Sequence, residues 1–169
     1  LASIVGQGIT AFVATEIALD VPFDESLIDP TERRQRDALM DGDYRALVQN
    51  ALLARFPEAS GRAERRQLLA LLGAEAPFRL RDIVLREPDA IGQTRRVWLK
   101  ASSAIDGLAK GFVDRSADED DRRVNDRQLA WYDALLAGGS VRRVFNLDFL
   151  TNADSRAPDV REDLRAISA

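Results

Sequence analysis

Thr15-Glu16-Ile17-Ala18-Leu19-Asp20-Val21-Pro22 is the stretch on which the fold turns. Its alternation sets Ile17, Leu19 and Val21 on one face and Glu16, Ala18 and Asp20 on the other, the period of a half-buried strand, and Pro22 stops it. Thr94 to Ala101 repeats the pattern, with Val97, Leu99 and Ala101 facing in and Arg96 and Lys100 facing out beside Trp98. Val141 to Phe149 alternates again and brings Phe145, Leu147 and Phe149 to one side. Ile17, Leu19, Val97, Leu99, Phe145 and Leu147 are therefore expected to share one buried sheet face.

Between the strands the apolar period lengthens to that of helices. Met40, Tyr44, Leu47, Val48, Ala51 and Leu52 recur at helical spacing; Asp41 or Asp43 can cap the start, and Pro57 closes the helix after Phe56. Ser60 opens a helix with Leu68, Leu69 and Leu72 that Gly73 ends, and Pro77 leads a shorter one with Leu80, Ile83 and Val84 that Pro88 stops. Ser103 and Asp106 have capping-box spacing ahead of Ile105, Leu108 and Phe112. Asn125 and Gln128 repeat it ahead of Leu129, Tyr132, Leu135 and Leu136, with Val124 placed to staple to Leu129, and Gly138-Gly139 ends that helix. A last helix is predicted from Pro158, carrying Val160, Leu164 and Ile167. Few strands among many helices predict an α+β domain: a small antiparallel or mixed sheet of about three strands covered by several helices, among them those that carry Leu47 and Leu135.

The chain has 169 residues, 46% of them hydrophobic and 31% charged, which suits one folded domain over 1–169 and neither a disordered nor a fibrous chain. It contains no Cys and no His, which excludes thiol nucleophiles, disulfides, Ser-His-Asp triads and nearly all zinc, copper and haem sites. A net charge of -4 argues against binding to nucleic acid or other polyanions. Chemistry is thereby restricted to carboxylate acid/base work, an oxygen-ligand site for Mg²⁺ or Ca²⁺, or none.

Three constellations invite a functional reading. Asp118-Glu119-Asp120-Asp121 could attract a hard cation, but it lacks the glycine and the distal glutamate of a calcium loop, and charge runs are usually solvated. Asp148, Asn152 and Asp154 offer oxygen ligands at a strand end, where such residues more often close turns. All but two of the 24 basic residues are arginine, and the pairs Arg33-Arg34, Arg95-Arg96 and Arg142-Arg143 could present guanidinium forks to an anion or a partner, aided by free amides at the Ser103 helix start. Arg95, Arg96, Arg142 and Arg143 are the candidate contact residues; the competing reading is solvated salt links. No catalytic, cofactor-binding or metal-ligating residue is assigned.

The segment from Leu1 to Thr15 carries no charge, and Met40 is the only methionine. Two readings stay open for residues 1–13: an edge element of the domain, or the outer tail of a transmembrane helix.

Ile91-Gly92-Gln93-Thr94-Arg95-Arg96-Val97-Trp98-Leu99, Asp126-Arg127-Gln128-Leu129-Ala130-Trp131, and Phe145-Asn146-Leu147-Asp148-Phe149-Leu150-Thr151 through Asp154-Ser155-Arg156 resemble the extra N-terminal domain of bacterial phosphate ABC transporter permeases of the PstA type. So do Gly8, Phe12 and the strand Glu16-Ile17-Ala18-Leu19-Asp20-Val21, followed by Ile28-Asp29-Pro30 and by Asp43-Tyr44-Arg45-Ala46-Leu47-Val48. After Arg156 the family continues Glu-Pro-Glu into an Ala-Gly-Ile run, whereas this chain reads Ala157-Pro158-Asp159-Val160-Arg161-Glu162.

The resemblance implies a domain of unknown function, inserted on the periplasmic side of the inner membrane between the first transmembrane helix and the permease core. Residues 1–13 would then be the tail of the preceding helix and 158–169 the start of the connection to the next, both ends returning to one membrane surface. It further implies a non-catalytic role in phosphate import by docking or gate stabilisation. The implied partners are the permease transmembrane helices, the partner permease subunit and the periplasmic phosphate-binding protein, with no cofactor. An anion-sensing or anion-binding regulatory domain is the alternative.

Overall fold

The alternation at 15–21 becomes the middle of the sheet rather than an edge. The computed structural model describes residues 13–145. There the chain runs β1 (Val13–Pro22), α1 (Glu25–Ile28), α2 (Arg36–Met40), α3 (Tyr44–Arg55), α4 (Arg62–Leu69), α5 (Ala76–Arg86), a 3-10 turn (Pro88–Ala90), β2 (Thr94–Lys100), α6 (Ser103–Ala109), a second 3-10 turn (Glu119–Asp121), α7 (Asp126–Ala137) and β3 (Val141–Phe145). The three strands form an antiparallel sheet in the order β2-β1-β3, so the chain is an α+β domain as its pattern predicts. Ala14–Val144 constitute the compact unit described below.

Register follows the apolar phase. Ile17 lies opposite Leu99 and Leu19 opposite Val97, and all four side chains are buried. A slip of one residue would turn this set to water, which is why pairing is so strongly specified here. Helices α3, α5 and α7 complete the core with Leu47, Leu52, Leu80, Val84, Trp131 and Leu135. Phe145 departs from the predicted face: it is 66% exposed. Leu147, Phe149, the helix predicted from Pro158 and the segment 158–169 lie outside the described residues, as do residues 1–12 of the segment 1–13 assigned to the preceding membrane helix; its last residue, Val13, instead begins β1.

Local chemistry explains where the predicted helices shift. The apolar run from Met40 to Leu52 is two helices, because Gly42 passes against the backbone of Ile28, where a Cβ would stand 2.9 Å from the Ile28 carbonyl oxygen. Of the two aspartates offered as caps, Asp43 serves: its Oδ1 accepts from the Ala46 N–H at 2.9 Å. Helix α4 begins after Gly61 rather than at Ser60 and ends at Leu69, leaving Leu71 and Gly73 to bond Ser102 and Lys100 across the chain. Helix α5 starts at Ala76, placing Pro77 second, still within the turn whose N–H groups need no partner. At α7 the Asn125–Gln128 capping box forms as its spacing predicts. Gly139, at φ 67°, then reverses the chain so that the Ser140 carbonyl accepts from the Ala18 N–H at 2.8 Å and starts β3.

At α6 the cap is Ser102, whose Oγ accepts from the Ile105 N–H at 3.4 Å, and not Ser103. Asp106 is drawn elsewhere: its Oδ1 accepts from the Thr15 N–H at 2.9 Å and its Oδ2 pairs with Lys110 at 2.6 Å. A carboxylate expected to close a local box instead ties the first strand to a helix 91 residues away. The helix ends at Ala109, short of Phe112, which is 70% exposed.

A second aspartate does similar work near the opening of the chain. Asp29 is fully buried and accepts from Thr31 Oγ1 at 2.9 Å and from the Arg34 N–H at 2.6 Å, holding a loop in which Glu32 and Arg34 take φ of 55° and 51°. The bond from the Arg34 amide keeps its carboxyl below the ordinary carboxylate range.

Two outcomes are expected from urea titrations. Ser102→Ala lowers stability by about 1 kcal/mol and Ser103→Ala leaves it nearly unchanged, since only the former removes a cap. Asp106→Ala strands the buried Thr15 N–H and costs about 2 kcal/mol. Burial raises the Asp106 pKa, but hydrogen bonds from Lys110 and Thr15 outweigh it and hold the group below its ordinary 3.8. The stabilisation is accordingly complete above 3.8 and is lost as pH falls through the folded-state value, so the gap between wild type and Asp106→Ala narrows in acid.

Candidate functional site

The outer face of the sheet gathers the charges that the strands exclude from the core. On β1, Glu16 sits between Lys100, its register partner on β2, and Arg142, which reaches in from β3, while Asp20 lies opposite Arg96 on β2. Arg142 holds Glu16 Oε2 from Nη2 at 2.7 Å and Nε at 2.8 Å. Its guanidinium also lies 4.1 Å from the centroid of the Trp98 ring. Arg96 donates to Ser140 Oγ at 3.0 Å and lies 3.8 Å from Asp20 Oδ1. The central-strand carboxylates thus stand in a cross-strand charge ladder, two acids among three cations, and Arg142 is also held over the Trp98 ring.

Of the four candidate arginines, only Arg96 and Arg142 share this face. Arg95 alternates to the other side, where it pairs with Glu87 Oε2 at 2.7 Å and with Gln93 Oε1 at 3.1 Å. Arg143 donates to the carbonyl of Ala109, the last residue of α6, and so satisfies a helix C-terminus. The strand period divides each Arg-Arg pair between two faces. Arg34, from the remaining pair, binds Glu25 Oε1 at 2.6 Å and the Pro88 carbonyl at 2.9 Å.

Beside the ladder is a hollow of about 270 Å³ at the ends of α3 and α7, lined by Asp20, Arg55, Arg96, Gly138 and Ser140 among others. Both guanidiniums there belong to exposed residues. Gly138 allows Arg55 to come close, since a Cβ would stand 3.0 Å from its Nη2. Two helix C-termini and a carboxylate face these two arginines, so the cations compensate carbonyl dipoles already present.

Among the described residues no group of three or more Asp or Glu side chains is arranged to hold a metal ion. The run at 118–121 forms an exposed 3-10 turn, and Asp148, Asn152 and Asp154 lie outside the described residues. The outward phase of Trp98 was legible in β2, but its stacking with Arg142 was not, because the two belong to strands separated by β1. Among the described residues no helix is long and apolar enough to cross a membrane.

A family model described as a domain of unknown function, DUF3333, matches residues 1–119. The match includes the Ile91–Leu99 stretch and β1, and ends before α7. No curated protein and no solved structure matches the chain.

A double-mutant cycle of Glu16→Gln and Arg142→Gln is expected to give a coupling of about 0.5 to 1 kcal/mol, as fits a half-exposed pair, falling in molar salt. Arg142→Ala should also move the Trp98 emission toward the red. Trp131, buried in the core, should not respond.

Proposed function

We propose that this chain, which belongs to the DUF3333 family of domains of unknown function, is a non-catalytic periplasmic domain of a phosphate ABC transporter permease of the PstA type. Its work is to support import at the inner membrane by docking a partner or stabilising the outer gate. The observation that carries a structural rather than a ligand-binding role is the fate of the candidate arginines: Arg95, Arg96, Arg142 and Arg143 divide between two sheet faces, each bound to a group of this same chain. An anion receptor needs guanidiniums converging on one point with unspent donors. The resemblance of 91–99, 126–131 and 145–156 to the permease domain supplies the transport context. The partners are the permease transmembrane helices, the second permease subunit and the periplasmic phosphate-binding protein.

The second reading, an anion-sensing domain, draws on the placement of Arg96, Lys100 and Arg142 on one sheet face. Calorimetric titration of the chain with inorganic phosphate separates the two. The docking reading expects no saturable heat. Saturable binding that disappears in Arg96→Ala and Arg142→Ala would transfer the function to the sensor. In a permease carrying this domain, in-frame removal of residues 14–144 is expected to lower phosphate uptake at unchanged permease abundance, and unchanged uptake would overturn the proposal.

A further inference from the structure

The described surface also contains an apolar groove that the permease reading does not use. Between α3, the end of α4 and the start of α5 lies a hollow of about 410 Å³ lined by Val48, Leu69, Leu72, Ala76 and Phe78, with Arg45 at its rim. Across Phe78 and Pro77 a second hollow of about 240 Å³ continues toward Met40 and Tyr44, with Arg81 on its wall. Phe78 is 56% exposed and Met40 45% exposed, so two large apolar side chains stand out at the second hollow, whose wall mixes Tyr44 and Pro77 with Asp43, Arg45 and Arg81. Isolated exposed apolar residues are ordinary; exposed ones beside a continuous apolar groove mark a binding surface.

The charges at this groove say what kind of partner fits. Arg45 and Arg81 flank Phe78 and, among the described residues, neither makes an ion pair or a side-chain hydrogen bond, in contrast to the arginines of the sheet. Arg81 is held by stacking, 5.1 Å from the Phe78 centroid, and its buried Nε has no acceptor. Turning that guanidinium to an incoming carboxylate therefore gives up no hydrogen bond. Among the described residues the one acid lining either hollow is Asp43, which already spends Oδ1 on the Ala46 N–H. Tyr44 is spoken for as well: its hydroxyl donates to the Leu39 carbonyl at 2.5 Å, and burial pushes its pKa up to about 12.

We propose that this groove is a docking site for an acidic amphipathic helix of a partner protein, its large apolar side chains seated on either side of Phe78 and its carboxylates on Arg45 and Arg81. The mode is helix-in-groove recognition with charge complementarity at the rim. It stands on the groove alone and goes beyond the phosphate-import reading.

The test uses the full chain and two synthetic helical peptides of equal length, one built of Leu, Ala and Glu and one with Lys in place of every Glu, followed by fluorescence anisotropy. The acidic peptide is expected to bind and the basic one not. Phe78→Ser, an exposed position that leaves the core intact, should weaken binding about tenfold, as loss of a central anchor does. Arg45→Glu with Arg81→Glu should abolish it, and Arg142→Glu, on the sheet, should leave it unchanged. Equal binding of both peptides, no binding of the acidic one, or indifference to Phe78→Ser would overturn the proposal. So would sedimentation showing a dimer that Phe78→Ser dissolves, since the occupant would then be a second copy. Phosphate titration does not bear on any of these outcomes, so this proposal and the import reading fail separately.

Discussion

The antiparallel pairing of β1 with β2 is the constraint on which the rest of the structure depends. Ile17 against Leu99 and Leu19 against Val97 bring together segments about eighty positions apart, and the helices between them must fold back over the resulting face. Because β1 is bonded on its other edge to β3, the first strand of the described chain pairs with the last as well. Such long-range pairing carries its loop-closure entropy before its contacts repay it. Burial of the shared apolar face, at about 25 cal/mol per Å², offsets that cost.

Around this sheet, aspartates do much of the joining. Asp106 bonds the Thr15 amide at the start of β1, Asp29 closes the loop after α1, and Asp43 caps α3 beside the backbone of Ile28. In each case a carboxylate accepts from a main-chain N–H that would otherwise lack a partner, the arrangement in which a charged acceptor contributes most. These are acids whose hydrogen-bonding capacity goes into architecture.

The arginines sort by the same accounting. Those of the sheet and its turns are matched with carboxylates or carbonyls of the chain, and their faces read as finished surface. Arg45 and Arg81, set around an exposed phenylalanine, have no such match among the described residues. A partner gains most where donors are unspent and apolar surface is already wet, and the α3–α5 groove, lined by Leu72 and Phe78 with Arg45 at its rim, offers both together.

The sequence by itself determined the α+β class, the inward phase of β1 and β2, the outward phase of Arg96, Trp98 and Lys100, the Asn125 cap and the Gly138-Gly139 stop. Each of these depends on residues within a few positions of one another, where period and capping chemistry act directly. Only the tertiary structure decided that β1 is central, that Ser102 rather than Ser103 caps α6, and that the Met40–Leu52 run breaks at Gly42. It alone also stacked Arg142 on Trp98 and left Phe145 exposed. Spacing reports which face of its own element a side chain occupies. Whether Asp106 turns to its own helix or to Thr15 depends on which distant N–H lacks an acceptor, and packing alone brings that amide within reach.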